Sequence, residues 1–332
     1  MIHLIAPKGP IWVFLAITLV ILLGPWLAER VRIPGIVGLL VGGLVIGPHA
    51  LDIVHEDDSL VPALGQIGLL YLMFLAGVEL DFTVFRRYRR AAVIFAMVTF
   101  TLPFLLGYAA STVLGYTTAA ALLIGSLSAS HTLVTYPAIR RLGLSSNRAV
   151  ATAVAATVIT DTMSLLVLAA VSGTVTGKVS GPALALQVGL GIASLLALSF
   201  VIVPRIGHWF FAGIGQERTL RFVFVLAVLS AAAVLAETFG IEGIVGAFFA
   251  GLGMNRLVPN RSPLMEKIEF FGSALFIPLF LISVGLIIDP TVMVEPRTLA
   301  FAAVLIGACM GGKALASYSS RLLFGFSGAE AG

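Results

Sequence analysis

Charged residues are scarce in this chain of 332 residues, where Asp, Glu, Lys and Arg make up 11% and hydrophobic residues 59%. A soluble domain carries about a quarter charged residues, so this composition is typical of a protein that crosses a membrane many times. The single cysteine, Cys309, excludes an internal disulfide and a cysteine-rich metal site. Walker A, GxGxxG and HExxH motifs are also lacking. We therefore expect neither an enzyme nor a cofactor, and no nucleic-acid partner.

Eleven apolar segments are long enough, or nearly so, to cross a hydrocarbon core about 30 Å thick. The second and ninth are short and rich in glycine. The N-terminus lacks a basic n-region, so the first segment is interpreted as a retained helix. These segments predict an all-α polytopic membrane protein. The predicted spans are 11–29, 34–51, 61–80, 91–113, 117–139, 149–174, 182–204, 219–237, 241–255, 268–288 and 298–324.

The basic residues fall mainly on alternate connections between these segments. With the N-terminus placed outside, sixteen of the twenty Lys and Arg residues lie in the inside connections or in the span ends next to them. Only Lys8, Lys178 and Arg297 lie outside, and Lys313 lies within a span. Because cytoplasmic loops are enriched in Lys and Arg, this bias supports the eleven spans and predicts residue 332 on the cytoplasmic side.

A repeat occurs at an offset of 208 residues. "GIVGLLVGGL" (35–44) and "GIVGAFFAGL" (243–252) match at six of ten positions, and the same offset pairs Gly77 with Gly285. Because the second and ninth helices run in opposite directions, the repeats are predicted to be inverted, as in many secondary transporters.

This offset divides the predicted transmembrane domain, 1–332. The first repeat is 11–174, the connecting helix is 182–212, and the incomplete second repeat is 219–325. The partners of the fifth and sixth helices would begin near residue 325. Either the family lacks two helices or the sequence is truncated at its C-terminus, and we favour truncation.

Asp161 stands in the middle of the apolar stretch "VITDTMSLLVL". Counted from the inner end of its helix, it lies about 20 Å along the axis, inside the hydrocarbon. A charge at that depth is costly, which favours a functional role. The alternative is a protonated aspartic acid bonded to a neighbouring backbone. Thr157, Thr160 and Ser164 fall at helical spacing on the same face and extend it into a polar stripe.

The fifth apolar segment is polar for a membrane span. "GSLSASHTLVTYPAI" contains three serines, two threonines and a histidine ahead of Pro137. This composition predicts a broken helix at Ser130, His131 and Thr132, where unwound carbonyls and hydroxyls coordinate a cation. The alternative is a proline-kinked helix packed through small residues. His131 either binds an ion or proton or is a satisfied neutral imidazole.

Lys313 lies about five turns into the eleventh segment, directly after Gly311 and Gly312. A lysine at that depth cannot easily reach the membrane surface, so it needs a partner, although snorkelling to the inner surface is an alternative. We predict that Lys313 approaches Asp161 directly or through one water or cation, with the Thr160 hydroxyl nearby.

Several of these features together resemble the monovalent cation/proton antiporters of the sodium/proton exchanger superfamily, including the potassium-efflux branch. The resemblance covers roughly residues 11–325. It is carried by "LGQIGLLYLMFLAGVELD" (64–81), Ser130–His131–Thr132, Asp161, "GIEGIVGAFFAGL" (240–252), "FIPLFLISVGLIID" (276–289) and Lys313.

The resemblance implies a fold in which two discontinuous helices cross beside an essential aspartate. It puts Asp161 at the ion-binding position, residues 130–132 at the first crossover, and Lys313 at the position of a basic residue. Thr160 stands where many relatives have Asp or Asn, which leaves one carboxylate. Full members have about thirteen helices, so the last two are missing. A homodimer in a bacterial inner membrane is also implied.

The resulting hypothesis is secondary active transport that exchanges protons for Na⁺ or K⁺ by alternating access, with Asp161 binding either ion. One alternative is a truncated, non-transporting membrane scaffold or sensor. Another is a sodium/organic-anion symporter with similar inverted repeats, against which "FLAGVELD" and Lys313 argue.

Overall fold

The computed structural model describes residues 9–55, 60–79, 82–129, 182–215, 217–259 and 262–324, with some positions between 152 and 171. Every regular element within those residues is a helix, and the described positions of 152–171 are helical as well. The helices are α1 (Pro10–Arg30), α2 (Gly35–Ile46), α3 (Leu60–Glu79), α4 (Phe82–Val113), α5 (Thr118–Ala129), α6 (Pro182–Ala197), α7 (Val203–Ala212), α8 (Arg218–Thr238), α9 (Gly243–Met254), α10 (Pro263–Phe271), α11 (Ile277–Ile287), α12 (Pro290–Met293) and α13 (Pro296–Phe324), with π turns at Leu198–Ile202 and Gly272–Phe276.

Seven stretches of the described helices are long and apolar enough to cross a membrane, so the chain is an integral membrane protein. Three shorter apolar helices, α2, α5 and α9, accompany them. The predicted span 34–51 is longer than α2, because the backbone turns extended at Gly47 and Pro48 follows. The number eleven stays a prediction, since parts of the fifth and sixth predicted spans lie outside the described residues.

The helix boundaries recur along the chain. The first and last residues of α1 and α8 differ by 208, and so do those of α2 and α9. Helices α3 and α11 end at Glu79 and Ile287, again 208 apart. The offset found in the sequence therefore describes where helices begin and end as well as which residues match.

Close glycine contacts recur at the same offset. Gly77 in α3 packs on α9, where an added Cβ would overlap the Phe248 carbonyl. Gly285 in α11 packs on α2, where an added Cβ would overlap the Leu40 carbonyl. Each glycine of one pair lies 208 residues from its counterpart, and so does each carbonyl. Small residues at both crossings let the backbones of the two halves approach each other.

The core lies where α3 meets α9 and the segment 263–287. Tyr71 of α3 is fully buried, stacks on Phe276 with ring centroids 4.4 Å apart, and donates a hydrogen bond from its hydroxyl to the Ile268 carbonyl at 2.9 Å. Ser273 in the adjoining π turn donates to the Glu269 carbonyl at 2.8 Å. A π turn disturbs the regular helical hydrogen bonds, and these two hydroxyls add hydrogen bonds to carbonyls beside it, which also accept from the Gly272 backbone N–H.

Candidate cation site

The structure describes two of the predicted site residues, Thr160 and Lys313. Asp161 and residues 130–132 lie outside the described residues. The helix break predicted between Ser128 and Pro137 falls almost wholly there too, so it stays a prediction. Residues on either side of these positions are described, and their contacts define the surroundings of the site.

Two side chains from other segments donate hydrogen bonds to carbonyls in the last described turn of α5. Ser164 Oγ donates to the Ser126 carbonyl at 2.9 Å. Cys309 Sγ, from α13, donates to the Ser128 carbonyl at 3.4 Å. Ser126 and Ser164 are both buried. The end of α5, the 152–171 segment and the middle of α13 therefore meet at one place.

Helix α4 packs closely against both α5 and α13. A Cβ added at Gly125 of α5 would lie 2.8 Å from the Phe104 carbonyl oxygen. A Cβ added at Gly312 of α13 would lie 2.8 Å from the Pro103 Cα. Real Cβ atoms do not come that close to backbone, so both helices depend on glycine here. Adjacent residues of α4 thus fix the separation of α5 and α13.

Thr160 is buried, with 1% of its surface exposed. Its hydroxyl donates to the Thr157 carbonyl at 2.9 Å, and the Thr157 hydroxyl donates to the Ala153 carbonyl at 2.9 Å. Both threonine hydroxyls thus donate their proton to a carbonyl of their own helix, a usual arrangement for threonine in membrane helices. A hydroxyl oxygen that donates still has two lone pairs, so Thr160 offers a cation an oxygen ligand.

Lys313 is partly buried on the face of α13 that is turned towards α5. It follows Cys309 by four residues, which places both side chains on one side of the helix. The two are near enough to interact electrostatically, and the Cys309 thiol contacts the Ser128 carbonyl. Lys313 therefore lies on the α5 side of its helix, while its pairing with Asp161 stays a prediction.

Cys309 supplies a contact that its sequence context does not predict. As a lone cysteine in an apolar helix it resembles ordinary packing. Its spacing from Lys313 is the signal that places it on the same face. Ser164 likewise follows Asp161 by three residues, which a helix turns into a shared face.

Asp289 illustrates a carboxylate with a structural role outside the membrane spans. Its Oδ1 accepts hydrogen bonds from the Thr291 backbone N–H at 2.8 Å and the Thr291 hydroxyl at 2.7 Å. These bonds favour the ionised form and lower the pKa of Asp289 below its ordinary value. Asp289 thus caps the start of α12. Asp81, its counterpart at the offset of 208, lies outside the described residues.

Comparison with known proteins shows which family shares these features. A sequence model described as sodium/hydrogen exchanger, transmembrane, matches residues 18–331. The chain belongs to the sodium/hydrogen exchanger family. This membership confirms the predicted relation to monovalent cation/proton antiporters.

Relatives of this chain match nearly its whole length. The Na(+)/H(+) antiporter NhaS5 of Synechocystis is 38% identical over 327 residues, which are 98% of this chain and 46% of the relative. The probable Na(+)/H(+) antiporter 3 of Methanocaldococcus jannaschii is 25% identical, over 95% of this chain and 81% of the relative. The chain thus spans less than half of the Synechocystis protein.

Two solved structures of the sodium proton antiporter MjNhaP1 from Methanocaldococcus jannaschii share the fold. One has a TM-score of 0.67 at 19% identity and covers 96% of this chain and 81% of the other. An electron microscopy map has a TM-score of 0.72 at 17% identity and covers 97% and 80%. At such low identity the similarity shows the fold alone.

Proposed function

We propose that this protein transports protons in exchange for Na⁺ or K⁺ across a membrane. Membership of the sodium/hydrogen exchanger family supports this activity, and the relatives with matching sequences are named as Na(+)/H(+) antiporters. A Bacillus cereus relative, 29% identical over 78% of the chain, is named as a Na(+)/H(+)-K(+) antiporter, which supports K⁺ as a second cation. The same membership favours antiport over the organic-anion symport alternative.

The cation site of this proposal is formed by Asp161 with Thr160, Ser130, His131 and Thr132. One observation carries it: hydroxyl and thiol hydrogen bonds join the end of α5 to Ser164 and to Cys309. Ser128 and Ser164 lie two and three positions along the chain from the proposed ligands Ser130 and Asp161, and Cys309 lies four positions from Lys313. Hydroxyls, carbonyls and one carboxylate are the oxygen ligands that hard cations prefer.

Lys313 is the charge partner of Asp161 in this proposal. A proton and a monovalent cation compete for the same carboxylate, and the ammonium group stabilises the carboxylate while neither is bound. The position of Lys313 on the α5 side of α13 supports this role. With Thr160 in place of a second acid, one proton exchanges for one cation and transport is electroneutral.

Alternating access follows from two inverted repeats, 11–174 and 219–325, joined by 182–212. The recurring helix boundaries and the reciprocal glycine contacts of Gly77 and Gly285 support this division. Transporters of this architecture move one group of helices against another around a central site. The protein works as a homodimer in the bacterial inner membrane, with its N-terminus outside and residue 332 in the cytoplasm.

Ion flux in proteoliposomes under a pH gradient tests the transport proposal. Asp161→Asn removes the titrating carboxylate and is expected to reduce exchange to the level of empty liposomes. Asp289→Asn, which alters an exposed capping carboxylate, is the control and should exchange normally. Undiminished exchange in Asp161→Asn contradicts the site, and a silent wild-type protein supports the non-transporting scaffold instead.

The Lys313→Ala variant tests the charge partner in the same assay. Loss of the ammonium group makes the carboxylate easier to protonate, so the pH profile of exchange should move about one unit towards higher pH. Lys267→Ala, which removes a lysine from α10, is the control and should keep the wild-type profile. An unmoved profile in Lys313→Ala contradicts the pairing.

A further inference from the structure

An open apolar groove runs between α1 and α2. Its volume is about 510 Å³, and its walls include Leu19, Leu23 and Leu27 of α1 and Val37, Val41 and Val45 of α2. The two helices are held at backbone distance by Gly24 and Gly38, so the groove is a fixed feature of the fold.

Where α9 has a glycine that lets its covering helix approach closely, the open wall of this groove has a branched side chain. The matching face of α9 has Gly253, where a Cβ would lie 2.7 Å from the Ser199 carbonyl oxygen of the helix that covers it. In α2 the equivalent position is Val45, 40% exposed. Gly24 and Gly38 face each other, Gly42 meets Val20 of α1, and most of the residues that line the opening are leucine, valine and isoleucine. Flexible acyl chains fit such a wall better than a helix.

One end of the groove is basic. Arg30 follows Leu27 by three residues and Leu23 by seven, so it continues the groove wall at its end. Arg32 stands between two lining residues, in the turn that joins α1 to α2. Both arginines are exposed, and the Arg30 guanidinium stacks over the Trp26 ring at 4.0 Å from its centroid. This stacking holds a positive charge at the mouth of the groove.

We propose that the α1–α2 groove binds an anionic phospholipid, with an acyl chain along the apolar wall and the phosphate at Arg30 and Arg32. The lipid completes a face that the described residues leave open. Basic groups where a membrane helix ends attract anionic headgroups, and the groove adds apolar contact that a bare surface charge lacks. The site is separate from the proposed cation site.

Native mass spectrometry of the purified protein tests this lipid site. The protein is mixed with equal amounts of phosphatidylglycerol and phosphatidylcholine that carry the same acyl chains. We expect about a tenfold preference for phosphatidylglycerol, which falls to near parity in the Arg30→Gln/Arg32→Gln variant. Arg205→Gln/Arg218→Gln removes two exposed arginines at other helices and should keep the preference. Val41→Trp fills the groove and should remove the bound lipid while both arginines remain.

Three results would overturn the proposal. The first is equal binding of the two lipids to the wild-type protein. The second is an equal loss of preference in the control pair, or unchanged binding in Val41→Trp, either of which means that surface charge alone attracts the lipid. The third is disulfide formation between two copies of Leu23→Cys in a Cys309→Ser background with phosphatidylglycerol present. That result would show that a second copy of the chain covers the groove.

Discussion

The helix pairs α1–α2 and α8–α9 have the same lengths and the same register, but their surroundings differ. Within each pair the crossing is alike: Gly38 meets the Gly24 carbonyl, and Gly246 meets the carbonyl of Ala232, 208 residues further on. Outside the crossing the two pairs differ in how much of their surface is exposed. Val37 is 38% exposed, whereas Val245, its counterpart and the same amino acid, is 6% exposed.

The cause of the difference is the segment 182–212, which packs on α9 and has no described counterpart on α2. The buried Ser199 hydroxyl in its π turn donates to the Phe249 carbonyl at 2.5 Å. Phe249 is 8% exposed, and Val41 at the equivalent position is 52% exposed. One covering segment therefore turns one copy of a repeated unit into core and leaves the other uncovered among the described residues.

The largest expected effect on stability comes from filling the space at Gly253, where the segment 182–212 packs on α9. Gly253→Val places a branched side chain against the Ser199 backbone and should lower the free energy of unfolding by about 3 kcal/mol. Reversible denaturation in detergent measures it. The counterpart Val45→Ala should change stability by less than about 0.5 kcal/mol, because no described helix covers that face. Equal losses at both positions would mean that the two pairs are equally covered.

A smaller effect is expected from identical substitutions at equivalent valines. Val245→Ala leaves a cavity beside the covering helix and should cost about 1 kcal/mol in the free energy of unfolding. Val37→Ala should be nearly neutral, because lipid or detergent fills the space. The same denaturation experiment compares them, and a larger loss for Val37→Ala would reverse the assignment of core and open face.

The smallest effect concerns the turn between α11 and α12. Hydrogen bonds from Thr291 lower the pKa of Asp289, so its stabilising contribution is present above the pKa of an ordinary aspartate, about 3.9, and is lost as pH falls through the folded value. Asp289→Asn should therefore lower the melting temperature slightly at pH 6, and the difference from wild type should shrink only as pH falls below about 3.9. Glu242→Gln is the control, since Glu242 precedes α9 without a side-chain capping bond. A difference for Asp289→Asn that persists in acid would exclude the charge as its cause.

Much of the helical framework was predictable from apolar length. The spans 11–29 and 219–237 each come within one residue of α1 and α8 at both ends. The end of α2 was predicted less well, because an apolar run continues past Gly47 while the backbone does not. Among the site residues, Thr160 and Lys313 lie in helices as predicted. The contact of Cys309 with the Ser128 carbonyl was not predictable, since it depends on how α4 spaces two distant helices.

The sequence by itself indicated which segments form helices, that they cross a membrane, and that the pattern recurs after 208 residues. These properties are local: hydrogen bonds of a helix join near neighbours, and the apolar length matches the bilayer. Only the tertiary structure decided which copy of a helix pair is covered. Lipid is as apolar as a protein core, so a valine facing lipid and a valine in the core are the same residue in the sequence. Val37 and Val245 differ only in what lies beside them.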